Sequence, residues 1–163
     1  NLEPYILQIR TMKRIVYCFF LLSMLAGKSW SQDALRKMHY NIEKGVALSG
    51  YDPVSYFTQK KPIKGLHTAL SKSGRNLSIA SDANKALFKA NPAKYEPEYG
   101  GWCAYAMGLK GEKVSVDPET YKIINNKLYL FYNQFFNNTL KDWNKDEAAL
   151  KSKADKNWTN TFH

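Results

Sequence analysis

The chain has 163 residues, of which 44% are hydrophobic and 14% aromatic, and its formal net charge is +10. This length suits one domain with its own core and excludes an array of several domains. The basic residues are spread singly, apart from a short concentration at Lys60, Lys61 and Lys64, and no nucleic-acid-binding motif accompanies them. We therefore expect no nucleic-acid partner, and a diffuse positive charge that gives weak attraction to anionic surfaces.

The N-terminal residues predict an export signal. Residues 1–11 precede Met12 and resemble upstream translated sequence, outside the native protein. A basic start at Met12-Lys13-Arg14 leads into an apolar run from Ile15 to Ala26 and then into Ser29-Trp30-Ser31. Small residues at both ends of that last tripeptide suit signal peptidase, so residues 12–31 have the pattern of a cleaved signal peptide, with an uncleaved anchor as the alternative.

Export has consequences for the mature chain, Gln32 to His163. The apolar run is shorter than the ~20 residues that cross a bilayer, so we expect no stable membrane span after cleavage. The protein would be periplasmic or extracellular. Cys103 would be its single cysteine, which excludes an internal disulfide in that oxidising compartment.

The first half of the mature chain predicts a strand, a hairpin and short helices. Residues 45–53 read as a strand ending in a turn, and Pro53 suits the first turn of a helix that carries Val54, Tyr56 and Phe57. Residues 67–71 and 76–80 read as a hairpin around Gly74. Ser81 or Asp82 can cap the helix that follows, and Asn91-Pro92 ends it.

The second half predicts another hairpin between helices. Gly100-Gly101 is expected to open an apolar helix that runs through Met107 and ends at Gly108. Residues 121–124 and 128–132 form the clearest hairpin, with the turn at Asn125-Asn126. Residues 133–158 are expected to be helical, with an amphipathic stripe of Leu150, Ala154 and Trp158. Short hairpins interleaved with helices predict an α+β fold with a C-terminal helical extension.

Several fragments in this order resemble the YHS-domain family, a small α+β module of metal-binding ancestry related to the TRASH domains. The resemblance covers residues 45–158. It rests on Gly50-Tyr51-Asp52-Pro53-Val54-Ser55-Tyr56-Phe57, the hairpin into Ser81 and Asn84, Phe88, Asn91-Pro92, Lys94-Tyr95, Tyr99-Gly100-Gly101-Trp102-Cys103-Ala104-Tyr105-Ala106, Leu128-Tyr129-Leu130 with Tyr132-Asn133, and Ala154-Asp155-Lys156-Asn157-Trp158.

The chain departs from the family at its metal ligands. Metal-associated YHS modules, such as those attached to copper-transporting ATPases, have cysteines at positions that look like Ser55, Ala80 and Asn84 here. None of these residues is a soft ligand, and tight copper or zinc binding depends on thiolate or imidazole groups. The resemblance therefore implies the fold more firmly than the ancestral metal site.

Cys103, Met107 and His67 are the candidate metal ligands. Helical spacing puts Met107 one turn beyond Cys103, and thiolate and thioether are soft donors that suit Cu(I). His67 can complete the set if the fold brings it close. The alternative is that Cys103 and Met107 pack a helix into the core, which is the commoner role of both residue types.

No catalytic constellation is evident in the sequence. A Cys103–His67 nucleophile has no local signature, and His39 and His163 lie near the ends of the mature chain. Asp52 precedes Pro53 in a turn, where capping of the next helix is the ordinary explanation. We therefore expect a binding protein and no enzyme.

The aromatic residues suggest a second kind of site. Side chains with an apolar ring and a polar tip can line a ligand pocket, and the candidates are Tyr51, Tyr56, Tyr99, Trp102 and Tyr105. They can equally build the core of a small domain. Two functional hypotheses follow: a YHS-type module that handles copper, or a metal-free module that binds a small molecule or a protein through its aromatic surface.

Overall fold

The computed structural model describes residues 38–43, 45–70 and 76–161. The expected upstream segment (1–11), the expected signal peptide (12–31), the hairpin loop at residues 71–75 and His163 lie outside them. The described chain is α+β, which confirms the predicted fold class.

A four-stranded sheet forms the first half of the fold. Its strands are β1 (Ile42–Glu43), β2 (Val46–Ala47), β3 (His67–Leu70) and β4 (Asn76–Ile79), in the spatial order β1-β2-β4-β3. β3 and β4 form the predicted antiparallel hairpin, with His67 opposite Ile79. β2 runs parallel to β4 through the pair Val46–Asn76, which the local sequence pattern did not predict.

Short helices cover this sheet. The predicted short helix after Pro53 is α1 (Ser55–Thr58), which follows a 3-10 turn at Leu48–Gly50. It begins later than predicted, because Val54 is its N-cap residue. Helix α2 (Asp82–Ala90) begins after Ser81, whose hydroxyl accepts the Asn84 amide proton as the predicted cap. Helix α3 (Pro92–Tyr95) follows directly and is capped by the Asn91 side chain.

The second half contains a long hairpin and three helices. Strands β5 (Asp117–Ile124) and β6 (Lys127–Phe131) are antiparallel, with Asn125 and Asn126 at positive φ in the turn, as the sequence predicted. They are preceded by a 3-10 turn (Glu98–Gly101) and α4 (Ala104–Lys110), and followed by a small hairpin of β7 (Asn133–Gln134) and β8 (Asn137–Asn138), by α5 (Thr139–Trp143) and by α6 (Glu147–Asn160).

The predicted bounds of α4 were wrong at both ends. Gly100 and Gly101 have φ values of 63° and 83°, so they form a left-handed turn and do not open the helix. Gly108 does not end the helix but lies inside it. A glycine is needed there for close packing against α6, since a Cβ would approach the Leu150 carbonyl oxygen to 2.5 Å. The helix ends at Lys110, and Gly111 supplies the left-handed C-cap.

The prediction that residues 133–158 are helical was also wrong for the first six residues. The chain turns there through Phe135 and Phe136, both at positive φ, and the Asn138 side chain then caps α5 by accepting the Leu140 amide proton. Asparagine side chains compete with the helix for backbone hydrogen bonds, which explains the late start. The predicted stripe is confirmed: Leu150 and Ala154 are buried and Trp158 packs against the same core cluster.

Three buried clusters hold these elements together. One surrounds α4 and α6 and contains Met107, Tyr129 and Trp143. The second packs β2, β4, α2 and α3 around Ile79 and Phe88, and the third joins Tyr56 to Leu128 and Leu130 of β6. Phe57 packs against both the second and the third cluster. The short helix α1 therefore lies where the two halves of the fold meet.

Candidate ligand-binding cleft

Helix α1 is positioned by the buried carboxylate of Asp52. Its Oδ1 accepts the Val54 amide proton at 2.8 Å in the turn before the helix. The N-cap residue of α1 is Val54, so Asp52 does not occupy the capping position that the sequence predicted. Its Oδ2 reaches much further and accepts the Ala80 amide proton at 2.8 Å and an amide proton of Asn84 at 2.6 Å. One fully buried side chain thus ties the start of α1 to the end of β4 and to α2.

A hydroxyl completes this arrangement. Ser55 Oγ donates to the Asp52 carbonyl oxygen at 2.7 Å and accepts the Ile63 amide proton at 3.1 Å. The Asp52 carboxylate accepts two backbone amide protons and one side-chain amide proton, and these three donors come from three different segments. This rigid base fixes the direction in which Tyr56 and Phe57 project.

Tyr56 and Tyr121 form one wall of a cleft. Their rings meet edge to face, with centroids 4.8 Å apart and planes at 81°. The Tyr56 hydroxyl donates to the Pro118 carbonyl oxygen at 2.9 Å, and the Tyr121 hydroxyl donates to the Lys60 carbonyl oxygen at 2.7 Å. Burial raises the pKa of Tyr56 well above its usual value, so this hydroxyl stays protonated.

Phe57 and Tyr95 form the facing wall. Their rings also meet edge to face, at 5.3 Å and 83°. Helix α3 brings Lys94 to the same place, with its ammonium group 5.0 Å from the centroid of the Tyr95 ring. The two aromatic pairs come from α1, α3 and β5, which are far apart in the sequence.

The space between the walls is an open cleft of about 660 Å³. This volume lies in the range of small-molecule sites. The lining residues are aromatic, polar or basic, apart from one aliphatic isoleucine, and none is acidic: Tyr56, Phe57, Thr58, Lys60, Lys94, Tyr95, Tyr121, Lys122, Ile123 and Asn126. The cleft therefore combines ring surfaces with a local excess of positive charge.

The three lysines differ in their partners. The ammonium group of Lys122 contacts the Glu147 carboxylate and the Asn144 side chain, so its charge is largely neutralised. Among the described residues, Lys60 and Lys94 form no ion pair. Lys60 is exposed at the rim and Lys94 is half-buried. These two ammonium groups are available to an anion in the cleft.

The structure distributes the five aromatic residues of the predicted pocket over separate places. Tyr56 lines the cleft, whereas Tyr51 lies outside its lining and donates to a Glu119 carboxylate oxygen at 2.8 Å. Tyr99 is buried in the core around α4 and donates to Asp155 at 2.8 Å. The Trp102 indole donates to the His39 carbonyl oxygen at 2.6 Å. Tyr105 lines a second groove, of about 300 Å³, that shares no lining residue with the cleft.

Cys103 lies at the inner side of that second groove, fully buried just before α4. Its sulfur accepts the Tyr132 amide proton and lies 3.4 Å from Thr139 Oγ1. The Thr139 hydroxyl donates its proton to the Tyr132 carbonyl oxygen, so the thiol is the donor in its contact with Thr139. A neutral thiol therefore meets all its hydrogen-bonding needs from neighbouring protein groups.

Of the three predicted metal ligands, Cys103 and Met107 lie together at the start of α4, whereas His67 belongs to another part of the fold. Met107 is buried in the core around α4, and its amide donates to the Cys103 carbonyl oxygen at 3.0 Å. The His67 backbone lies in the four-stranded sheet, whereas the Cys103 backbone bridges Leu130 of β6. Within residues 38–43, 45–70 and 76–161, no three His, Cys, Asp or Glu residues are grouped to hold a metal ion. Copper binding by Cys103, Met107 and His67 stays a prediction.

Sequence reasoning missed most of the cleft. Phe57 and Tyr95 lie in segments that carry the family resemblance. Nothing in the local sequence indicates that Tyr121 and the lysines line the same cleft. Lys60, Lys94 and Lys122 look like ordinary surface charges in the sequence. Their convergence depends on the packing of α3 and β5 against α1, which is a property of the tertiary structure.

Comparisons of the chain with models of known protein families, with curated proteins and with solved structures give no match. In the part of the chain that the structure describes, no helix has the length and apolar character needed to cross a membrane.

Proposed function

We propose that this chain is a non-catalytic binding module that holds a small organic anion in the cleft between α1, α3 and β5. The observation that carries the proposal is the lining itself: four aromatic side chains and three lysines, with no carboxylate, around about 660 Å³. This is the metal-free alternative of the two hypotheses that the sequence supports.

The chemistry of the lining selects the ligand class. The aromatic faces favour a ligand with a planar or apolar body, because contact with them removes apolar surface from water. Lys60 and Lys94 favour a carboxylate, sulfonate or phosphate group on that body. One ion pair at 4 Å near a protein surface has a Coulomb energy of about 4 kcal/mol, from which the desolvation of both charges must be subtracted. Micromolar affinity is the expected result.

We also propose that the module is of the YHS type and is exported. Support for the family comes from the contacts of Asp52: Ser55, Ala80 and Asn84 all bond to this residue. These are the three positions at which metal-associated YHS modules have cysteines. Residues that descend from the ligands of one metal must lie close together, and these three do. A carboxylate with its donors would then occupy the place of the ancestral site.

Binding of an anionic aromatic probe tests the proposed function. Anilinonaphthalene sulfonate should bind with enhanced fluorescence, and the double variant Lys60→Gln/Lys94→Gln should weaken its affinity by roughly tenfold, which corresponds to ~1.4 kcal/mol. The neutral probe phenylnaphthylamine should be insensitive to the same change. Tyr121→Ala should weaken the binding of both probes, because it removes one wall.

Two controls isolate the cleft. Lys153→Gln removes an exposed lysine from α6, outside the cleft, and should leave the affinity of the sulfonate unchanged. A variant without the Phe135 and Phe136 rings removes the two most exposed apolar side chains of the described residues, on which a dye can also adsorb. Equal sulfonate affinity in the wild type and in Lys60→Gln/Lys94→Gln would refute the proposal.

A further inference from the structure

The small hairpin β7–β8 exposes two phenylalanine side chains at its tip. Gln134 pairs with Asn137, so Phe135 and Phe136 form a two-residue turn. Their exposed fractions are 88% and 110%, the largest among the apolar side chains of the described chain. Both residues have positive φ, at 51° and 64°. Turns of this kind favour Asn-Gly, and a Phe-Phe pair there satisfies neither the backbone preference nor the burial of apolar surface.

Hydrogen bonds anchor the hairpin to the rest of the domain. Asn133 Nδ2 donates to Thr120 Oγ1 at 2.9 Å, and the Thr139 amide donates to the Tyr132 carbonyl oxygen at 3.0 Å. The Asn138 side chain caps α5. Around the two rings, the hairpin presents only uncharged amide side chains: Asn133, Gln134, Asn137 and Asn138. The two exposed rings therefore project from an anchored hairpin. The four uncharged amide side chains around them are called the amide collar below.

The surroundings of the tip include apolar and basic residues and two acidic ones, Glu112 and Asp117, and Asn133 Nδ2 lies 3.4 Å from Asp117 Oδ2. No Asp or Glu occurs from Thr120 to Lys141. Of the lysines in that stretch, Lys122 and Lys127 are paired with Glu147 and Glu98, whereas Lys141 of α5 forms no ion pair among the described residues. The groove beside the hairpin joins Asn137 to Leu109, which is 52% exposed, and to Lys110 and Glu112. The whole chain has a net charge of +10. The net positive charge of the chain attracts an anionic surface, and Lys110 lies in the groove beside the hairpin.

We propose that the Phe135–Phe136 tip inserts into the interface of an anionic lipid membrane. Aromatic rings on a convex point enter the headgroup layer without needing a shaped partner, and the amide collar stays in the polar layer. Weak apolar insertion and weak electrostatic attraction together give reversible binding that neither gives alone. This membrane contact is independent of the anion cleft, whose lining shares no residue with the hairpin.

Vesicle sedimentation of the full chain tests the proposal. Vesicles of phosphatidylcholine with about one third phosphatidylserine should bind the wild type at least fivefold more strongly than the double variant Phe135→Asn/Phe136→Gly. This variant should also have a higher urea midpoint, because Asn-Gly suits the turn, so weaker binding cannot come from unfolding. The matched control Leu66→Asn removes another exposed apolar side chain, 81% exposed in the wild type, and should bind like the wild type.

A local probe separates the tip from the N-terminal apolar run, which all these variants retain. An indole introduced by Phe136→Trp should be quenched by brominated phosphatidylcholine in the mixed vesicles, whereas an indole introduced by Leu66→Trp should not. Equal binding of the wild type and the Asn-Gly variant, together with no quenching at position 136, would overturn the proposal. A concentration-dependent dimer that the Asn-Gly variant loses, without quenching at the tip, would also overturn it, because the tip would then bind a second copy.

Discussion

Asp52 shows how much one buried carboxylate can organise in a small domain. Its three hydrogen bonds join the turn before α1 to β4 and α2, and the cleft wall formed by Tyr56 and Phe57 depends on that junction. We predict that Asp52→Ala lowers the free energy of unfolding by about 3 kcal/mol, because it leaves buried donors without an acceptor. Urea denaturation measures this loss.

A matched carboxylate provides the control for Asp52. Asp82 is exposed in the first turn of α2, so Asp82→Ala should cost less than ~1 kcal/mol through the helix dipole alone. If Asp52→Ala proved as stable as Asp82→Ala, the Asp52 hydrogen bonds would not be what holds α1 in place.

The hydrogen bonds of the Cys103 sulfur account for this buried thiol without a metal ion. The sulfur contacts Tyr132 and Thr139 inside the protein and is fully buried, so a metal ion would have to break these contacts and enter the core to reach it. We predict that the wild type and Cys103→Ser retain the same amount of copper after reconstitution with Cu(I) and dialysis. Elemental analysis checks the ratio. Stoichiometric copper in the wild type that the serine variant loses would restore Cys103 as a ligand.

The contact between helices α4 and α6 depends on Gly108. A Cβ at this position would lie 2.5 Å from the Leu150 carbonyl oxygen. Replacement of an exposed helical glycine by alanine stabilises a protein by up to ~1 kcal/mol. Here we predict the opposite sign: Gly108→Ala should lower the free energy of unfolding by about 2 kcal/mol, because the helices must move apart.

Thermal or urea unfolding measures whether Gly108→Ala raises or lowers the free energy of unfolding. Ser152→Ala, on the exposed face of α6, is the control and should be neutral or slightly stabilising, since alanine is the better helix former. A Gly108→Ala variant more stable than the wild type would show that the two helices pack less closely than described.

The elements also show which parts of the fold a local pattern can predict. The hairpins, the Ser81 cap and the stripe of Leu150, Ala154 and Trp158 depend on near neighbours, and they are where the sequence places them. The bounds of α4 depend on Gly100, whose added Cβ would meet Trp158, and on Gly108 against α6. Those contacts join distant segments, so the pattern around the glycines alone misled the prediction.

The cleft is a property of the whole molecule for the same reason. Its walls come from residues 56–60, 94–95 and 121–126, and its charge arises only when these segments meet. The sequence predicted a pocket lined by aromatic residues, and of the five that it named Tyr56 is one that lines this cleft. It offered no reason to group Tyr121 with Lys60 and Lys94, because neither periodicity nor spacing relates them.

Buried tyrosines make the stability of the whole molecule sensitive to alkaline pH. Burial raises the pKa of Tyr129 to about 12, and it raises the pKa values of Tyr56 and Tyr99 as well. In the unfolded chain these groups lose their protons near pH 10, so above that pH the unfolded state binds fewer protons than the folded state. We predict that the urea midpoint is steady from pH 7 to about 9 and falls above pH 10.

The absorbance of tyrosinate at 295 nm gives an independent check on that prediction. The three buried phenols should titrate only as the protein unfolds, after the exposed ones. Tyr129→Phe should reduce the loss of stability between pH 10 and about 12, since it removes one of the three raised pKa values. A urea midpoint that does not change up to pH 12 would contradict the assignment.

The proposal of an anion-binding cleft is tested most directly by mapping where the probe binds. A nuclear magnetic resonance titration of ¹⁵N-labelled protein with anilinonaphthalene sulfonate should shift the backbone amide signals of Thr58, Lys60, Tyr95, Ile123 and Asn126, which line the cleft. Lys60→Gln/Lys94→Gln should require a higher probe concentration for the same shifts. Shifts confined to the groove at residues 105–114 or to the Phe135–Phe136 tip, with none around the cleft, would contradict the account.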